Sequence, residues 1–158
     1  MPKFGISTVD MTTSTSVLTA LYLHANAAGE KAEIVELIMT GSGTTAAADT
    51  QHRATALHST AATAGTAGSN PTPAPAGGSG SSVAANCLAG AVYSAEPTTY
   101  STGPAFVAIG FNQRGGNRWS VPQGEGMNIN NAFTDKAVGW RVSSSAAGKI
   151  DADIHFWE

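Results

Sequence analysis

A glycine-rich turn is the first feature of this sequence whose residue types could serve chemistry. Residues 41–46 read Gly-Ser-Gly-Thr-Thr-Ala after a predicted strand, which satisfies the letters of a dinucleotide-binding turn. That chemistry needs a helix whose N-terminal amides meet the pyrophosphate, and an acidic residue about 20 positions further on for the ribose. No apolar helical face follows, and residues 64–70 contain no carboxylate. The sequence therefore favours a hairpin turn here.

Histidines and carboxylates offer a second kind of chemistry, metal binding. His52 and His58 lie six positions apart, so a strand would place both on one face, where Asp49 and His24 or His155 could join them. Structural metal sites have close and regular ligand spacing, which is missing here. We therefore expect histidines that are solvated or hydrogen-bonded, and the sequence predicts no metal and no cofactor.

Paired carboxylates near the C-terminus could support acid–base catalysis. Asp151 and Asp153 share the polar side of a predicted strand with His155. In glycosidases such a pair flanks a cleft at a set separation, whereas this pair follows the plain alternation of a solvated strand face. The sequence also lacks a nucleophile elbow, a P-loop and the H-E-x-x-H motif. It predicts no enzyme.

The tryptophans could instead stack on sugar rings. The chain has three of them, Trp119, Trp140 and Trp157. Aromatic residues in a protein rich in small side chains are more often core anchors than ligand platforms. Trp140 is expected to point inward between Val138 and Val142, whereas Trp157 is expected to face a partner.

Strands must position these residues, and the C-terminal third shows them most clearly. Residues 106–113 and 118–121 are apolar runs around Arg114, Gly115, Gly116 and Asn117, a pattern that predicts a hairpin. Period-two alternation predicts further strands at residues 137–142 and 150–157, and similar patterns favour strands at residues 16–24, 33–40 and, more ambiguously with helix, 49–60.

Glycine and proline interrupt these strands over residues 61–82. Their density excludes regular structure over most of that length. Pro71, Pro73 and Pro75 favour an extended polyproline geometry, and a flexible glycine–serine run follows them. We predict an exposed loop or arm that can reach a neighbouring molecule.

Length, composition and charge limit the classes of protein to which this chain can belong. The 158 residues fit a single domain, residues 1–158, and Ala, Gly, Ser and Thr fill half of the positions. A formal net charge of -3 and 12% charged residues argue against disorder, so together with the strand patterns they predict a folded, all-β protein with a thin core. The free Cys87 excludes an intramolecular disulfide and is expected to be buried.

Charge is unevenly distributed along the chain. Between Arg53 and Arg114 the only formally charged residue is Glu96. Such a segment fits a surface that meets other protein, or a mobile polar loop, and both interpretations stay open. The sequence shows no basic stripe for nucleic acid, no apolar run long enough for a membrane span and no signal peptide, so we expect synthesis in the cytoplasm.

Three runs of the chain resemble small virion structural proteins of tailed bacteriophages, in particular capsid decoration or cement proteins. They are residues 36–49, 110–119 and 150–158. The resemblance implies a β-sandwich or jelly roll that self-associates as a trimer or dimer, binds the major capsid protein and lies on the capsid surface of the virion. An alternative is a glycan- or receptor-binding module of a head fibre or tail.

A cement protein needs no pocket, only edge strands or arms that pair with neighbours. We therefore predict that residues 1–15 or residues 61–82 extend across adjacent subunits. The predicted interface residues are Phe4, Pro71, Pro73, Pro75, Arg114, Arg118 and Trp157.

Overall fold

The chain is built from strands. The computed structural model describes residues 2–27, 30–42, 49–61, 65–76 and 84–158, and these contain no helix. The strands are β1 (Lys3–Thr12), β2 (Leu18–His24), β3 (Lys31–Gly41), β4 (Gln51–Ser59), β5 (Thr66–Ser69), β6 (Ala74–Pro75), β7 (Leu88–Ala95), β8 (Val107–Asn112), β9 (Gly116–Ser120), β10 (Met127–Asn130), β11 (Ala137–Ser144) and β12 (Lys149–Trp157). The predicted all-β class is confirmed.

Two antiparallel sheets contain all of these strands. Sheet A has the order β10-β3-β12-β1-β6, and β9 also pairs with β3. Sheet B has the order β5-β7-β2-β11-β4-β8. Strands β1 to β4 alternate between the two sheets, and β11 and β12 do so again near the end of the chain. Within the residues described, no helix is long and apolar enough to cross a membrane.

The core lies between the sheets, as a β-sandwich requires. Alternate residues of β12 are fully buried, and on β11 Val138, Trp140 and Val142 are at most 1% exposed. Side chains of both sheets form one apolar cluster. The indole Nε1 of Trp140, on sheet B, donates a hydrogen bond of 3.1 Å to the backbone oxygen of Ile38, on sheet A. The inward orientation predicted for Trp140 is confirmed.

The glycine turn at residues 114–117 does not form the predicted hairpin. It is a tight turn, because the amide of Gly115 donates to Asn112 O at 2.9 Å. The strands on either side, however, pair in different sheets, β8 with β4 and β9 with β3. The turn therefore carries the chain from one sheet to the other.

Close packing against the end of β3 explains part of this turn. The amide of Gly41 donates to Gly115 O at 2.9 Å, and a Cβ added at Gly41 would lie 1.7 Å from Gln113 O. Only glycine permits that approach. Because β3 and β4 also lie in different sheets, residues 41–46 do not connect a hairpin either, and residues 43–48 lie outside the described part of the chain.

The predicted N-terminal arm is wrong for most of its length. Strand β1 pairs with β12 on one side and with β6 on the other. Phe4 is 0% exposed and stacks on Phe156 with ring centroids 5.6 Å apart, and Ile6 is 4% exposed. Phe4 and Ile6 are alternate residues of β1, and both side chains point into the core. Their burial fixes this segment in the sandwich.

The proline-rich segment is only partly irregular. The short strands β5 and β6 lie within residues 61–82 and extend the edges of sheet B and sheet A. Residues 62–64 and 77–83 lie outside the described part of the chain, so the predicted reach of this loop stays a prediction.

Candidate interaction surfaces

A charged cluster occupies the outer face of sheet A, the face turned away from the core. Neighbouring strands assemble it: His155 on β12 lies directly opposite Glu36 on β3, and β9 and β1 contribute Arg118 and Lys3. The Glu36 carboxylate accepts a 2.6 Å hydrogen bond from His155 Nδ1, forms an ion pair with Arg118 and lies 3.7 Å from Lys3 Nζ. Its side chain is 8% exposed. The surrounding cations compensate for the burial of its charge.

Two carboxylates of this face, Glu36 and Asp153, have pKa shifts of opposite direction. Burial alone would raise the pKa of Glu36, but the hydrogen bond from His155 and the charges of His155, Arg118 and Lys3 together lower it. Burial raises the pKa of Asp153, and the charges of Asp151 and Glu36 add to that rise while His155 opposes it. The predicted solvated face is therefore an ion-paired network that is half-buried.

The two arginines predicted at an interface have different surroundings. Arg118 belongs to the cluster around Glu36, and its side chain is 65% exposed. Arg114, in the turn before β9, has a side chain that is 64% exposed, and its Nε lies 3.2 Å from Asp49 Oδ1. Both cations are held by carboxylates at the surface, which leaves them accessible to a partner.

The three tryptophans do not form one platform. Trp140 is in the core, which removes it from any ligand surface. Trp119 is partly buried and meets Phe106 edge-on with ring centroids 5.7 Å apart. Trp157 is half-buried on sheet A, between Lys3 on β1 and Glu33 on β3. The partner contact predicted for Trp157 stays a prediction.

Prolines border a cavity next to sheet B. Pro71 and Pro73 line a space of about 390 Å³ together with His24, Asn70, Thr72, Ala84, Ala85, Leu88 and Ala89. His24 is 8% exposed, and its Nδ1 has no hydrogen-bond partner among the residues described. Burial lowers the pKa of His24, against the opposing effects of the Ala25 backbone and the Glu30 charge. The cavity is thus neutral and mostly apolar. Pro75 lies elsewhere, on β6 beside Phe4.

A second, smaller cluster covers the outer face of sheet B. Tyr22 and Tyr93 are buried there and pack against Tyr100. The Glu96 carboxylate accepts hydrogen bonds from the amide and the hydroxyl of Thr19, the latter at 2.6 Å. The Thr19 hydroxyl also bonds the Tyr100 hydroxyl at 2.7 Å. This network holds the segment that follows β7 against the sheet.

The charge of Glu96 is compensated inside that cluster. Arg141 Nε lies 3.6 Å from Glu96 Oε2, and the Arg141 guanidinium lies 4.3 Å from the centre of the Tyr100 ring. The side chains of Arg141 and Glu96 are 19% and 26% exposed. The one formal charge between Arg53 and Arg114 therefore contributes little to the surface. Sequence reasoning found Glu96 as an isolated charge but missed its role, because Thr19 and Arg141 are distant in sequence.

Apolar side chains project from this uncharged part of the chain. Phe106 is 52% exposed, Leu88 43% and Val92 38%. Val92 also has a positive φ of 52°, which is rare for a β-branched residue. Leu88 and Val92 lie on the same strand, β7, whereas Phe106 precedes β8 at the other end of sheet B, so the exposed apolar side chains form two separate groups.

The histidines singled out for metal binding have other contacts. His52 is 3% exposed, bonds the Ser144 hydroxyl at 2.6 Å and stacks on Phe111. Burial lowers the pKa of His52. His58 lies 4.0 Å from Asp135. Among the described residues, no three His, Cys, Asp or Glu side chains are placed to hold a metal ion together.

The free cysteine is buried, as predicted. Cys87 is 0% exposed, and burial, together with Glu158, raises the pKa of its thiol. The Glu158 carboxylate accepts hydrogen bonds from the amides of Asn86 and Cys87 at 2.8 and 2.6 Å. The last residue of the chain is thereby fastened beside the start of β7.

Comparisons with known proteins add little to these observations. No protein-family model matches the chain, and no curated protein matches it. A chain in the structure of Cocksfoot mottle virus is 13% identical, with 96% of this chain and 91% of that chain covered and a TM-score of 0.25. The VP2 subviral particle of infectious bursal disease virus gives 11% identity, 98% and 39% coverage and a TM-score of 0.15. Similarity this low carries no argument about function.

Proposed function

We propose that this chain is a structural protein of a tailed-phage virion, a capsid decoration or cement protein that binds the major capsid protein and stabilises capsomer junctions. The surface around strand β7 is the observation that carries the proposal. The formal charge of Glu96, which follows β7, is compensated by Arg141, and Leu88 and Val92 are exposed on β7. Such a surface fits packing against another protein better than it fits catalysis.

The order of the strands supports the finer fold assignment, a jelly roll. Leaving aside β5, β6, β7 and β10, the sheets have the orders β1-β12-β3-β9 and β2-β11-β4-β8. Eight strands that alternate in this way between two sheets support a jelly roll, an eight-stranded double-sheet fold of viral capsid and lectin domains. Fold alone does not establish function, so the proposal depends on the surface and on the resemblance of the three sequence runs.

Capsid binding tests the proposal. Shells assembled from the major capsid protein of the same phage are mixed with the purified chain, and the bound fraction is measured by co-sedimentation. We expect saturable binding of the wild type and at least about tenfold weaker binding of Leu88→Glu and Val92→Asp, since a charge must then be desolvated at the contact. Aspartate tolerates the positive φ at position 92, so folding should be kept.

A matched control separates this effect from general loss of apolar surface. Val9 is 72% exposed on β1 of sheet A, so Val9→Asp introduces the same change outside the proposed contact. It should bind like the wild type. Absence of wild-type binding, or equal weakening by Val9→Asp, would overturn the proposal.

A ligand-binding module of a head fibre or tail is the second candidate. The cavity beside Pro71 and Pro73 favours it, because the cavity is apolar and the buried His24 has an unpartnered Nδ1. Protein NMR titration with neutral monosaccharides tests this candidate. Shifts of the Ala89 and His24 signals that saturate would support a glycan module, and unchanged signals at all sugar concentrations would remove it.

A further inference from the structure

The edges of the two sheets are not equally protected against pairing with another strand. Exposed edges usually carry charges, prolines, irregular registers or very short strands, which prevent unwanted association. Among the described strands, β6 has two residues and contains Pro75, β9 contains Arg118, and β10 has four residues. Strand β5 also has four residues, with a register shift after Thr66. Each of these edges has at least one protective feature.

Strand β8 has none of them. Its six residues, Val-Ala-Ile-Gly-Phe-Asn, include no charge and no proline, and its ladder with β4 has no register shift. Ala108 and Gly110 are exposed, and the neighbouring Phe106 is 52% exposed. The edge of sheet B at β8 is therefore long, regular and uncharged.

The unpaired backbone groups of this edge can be identified from the ladder. The amide of Gln113 donates to Thr50 O at 3.0 Å, so this pair belongs to the hydrogen-bonded set. Because hydrogen-bonded and non-hydrogen-bonded pairs alternate in an antiparallel ladder, Ala108 and Gly110 direct their amides and carbonyls away from β4. Consistent with this direction, Gly110 O accepts a 3.2 Å hydrogen bond from Asn117 Nδ2. That carbonyl retains a second lone pair.

We propose that β8 pairs antiparallel with β8 of a second copy of this chain, so that two sandwiches share one continuous sheet B around a two-fold axis at Gly110. In this register Gly110 faces Gly110 of the partner subunit, so no side chains collide at the axis. Ala108 lies opposite an asparagine, and no like charges meet along the strand. The pairing uses only this chain, so it stands or falls independently of capsid binding.

Amide hydrogen exchange and mass together test the pairing in the wild-type protein. Light scattering should give about twice the chain mass of 15.9 kDa at high concentration. Under the same conditions the amides of Ala108 and Gly110 should become protected, and dilution to the monomer should abolish that protection. The amides of Ile109 and Phe111 should be protected in both states, because they bond to β4. A monomer at all concentrations, a trimer, or a dimer with unprotected Ala108 and Gly110 amides would overturn the proposal.

A pair of variants at the axis gives an independent test. Gly110→Pro removes one outward amide while leaving the ladder with β4 intact, since proline is tolerated where a strand faces solvent. Gly110→Ala keeps that amide, and an added Cβ would find only His52 O, at 3.9 Å. We expect at least about tenfold weaker dimerisation for the proline variant and near wild-type dimerisation for the alanine variant. Equal dimerisation of both, with both folded by circular dichroism, would also overturn the proposal.

Discussion

On the outer faces of the two sheets, the ion-paired carboxylates Glu36 and Glu96 have partners that differ in their exposure to solvent. On sheet A, Glu36 gathers His155, Arg118 and Lys3, and the cations stay partly exposed to water. On sheet B, Glu96 and Arg141 compensate each other beneath a covering of tyrosines. One face therefore keeps its ion-paired cations partly in solvent, whereas the other encloses the Glu96–Arg141 pair, although Arg53 on β4 is exposed.

This difference shows that a chain with few charges can still place several of them on one face of the sandwich, which limits non-specific association there. We expect the charged side chains of sheet A to favour solubility, and in the proposed function the surface around β7 is the part that contacts other protein. The internal pair on sheet B should matter more for stability, because it is less exposed than the cations around Glu36. The predictions that follow change each face in turn, beginning with the largest effect.

Glu96→Gln should cause the largest loss. The amide side chain cannot compensate the charge of Arg141, and it weakens the bonds to Thr19. We expect the free energy of unfolding, measured with urea at pH 7, to fall by about 2–3 kcal/mol, since an uncompensated charge is left partly buried. Glu125→Gln makes the same chemical change at an exposed position and should have almost no effect. Equal losses in the two variants would contradict the assignment of Glu96 to a network.

Glu36→Gln should destabilise less, by about 1 kcal/mol, because its partners are partly exposed to water. The effect should depend on pH. The folded-state pKa of Glu36 is below its ordinary value of 4.5, so the carboxylate stabilises the fold above that pH and loses its contribution as the pH falls through the folded value. The difference between wild type and variant in urea unfolding should therefore shrink as the pH falls below 4.5 and through the lowered folded-state pKa. If the difference in unfolding free energy between wild type and variant did not change with pH, the role given to the Glu36 carboxylate would be wrong.

Asp153→Asn should have the smallest effect and the opposite sign. The folded-state pKa of Asp153 is raised, first by burial, so its charged form costs stability above the ordinary pKa, and protonation relieves that cost. The variant should be more stable at pH 7, by less than about 1 kcal/mol, because Asp153 is only half-buried. Thermal unfolding at pH 7 checks the sign. A lower melting temperature would show that the carboxylate has a favourable partner on this face.

Sequence patterns predicted the strands but not their partners. Period two identified β11 and β12 and the inward side of Trp140, because burial on one face imposes that alternation directly. The turn at Gly115 and Gly116 predicted a tight reversal, which exists, but turn residues carry no information about which sheet each flanking strand joins. That choice depends on β3 and β4, which are far away in sequence.

Contacts distant in sequence also limited the prediction of the surfaces. Residues 1–15, which include Phe4, are predicted to be a possible arm because a cement protein needs one, although Phe4 and Ile6 alternate as strand residues do. Glu96 stood out as an isolated charge, yet its partners Thr19 and Arg141 come from β2 and β11. Only the assembled sheet brings these groups together.

The fastening of the last residue beside β7 makes the single thiol a reporter of motion. Cys87 is enclosed, and its backbone amide is held by Glu158 at the end of β12. Because the Cys87 side chain is 0% exposed, a thiol reagent can reach it only after local opening. The rate of labelling in the native protein therefore reports on opening of the region around the start of β7 and the end of β12. A protein fused after Glu158 is expected to disturb this contact and to increase the labelling rate of Cys87.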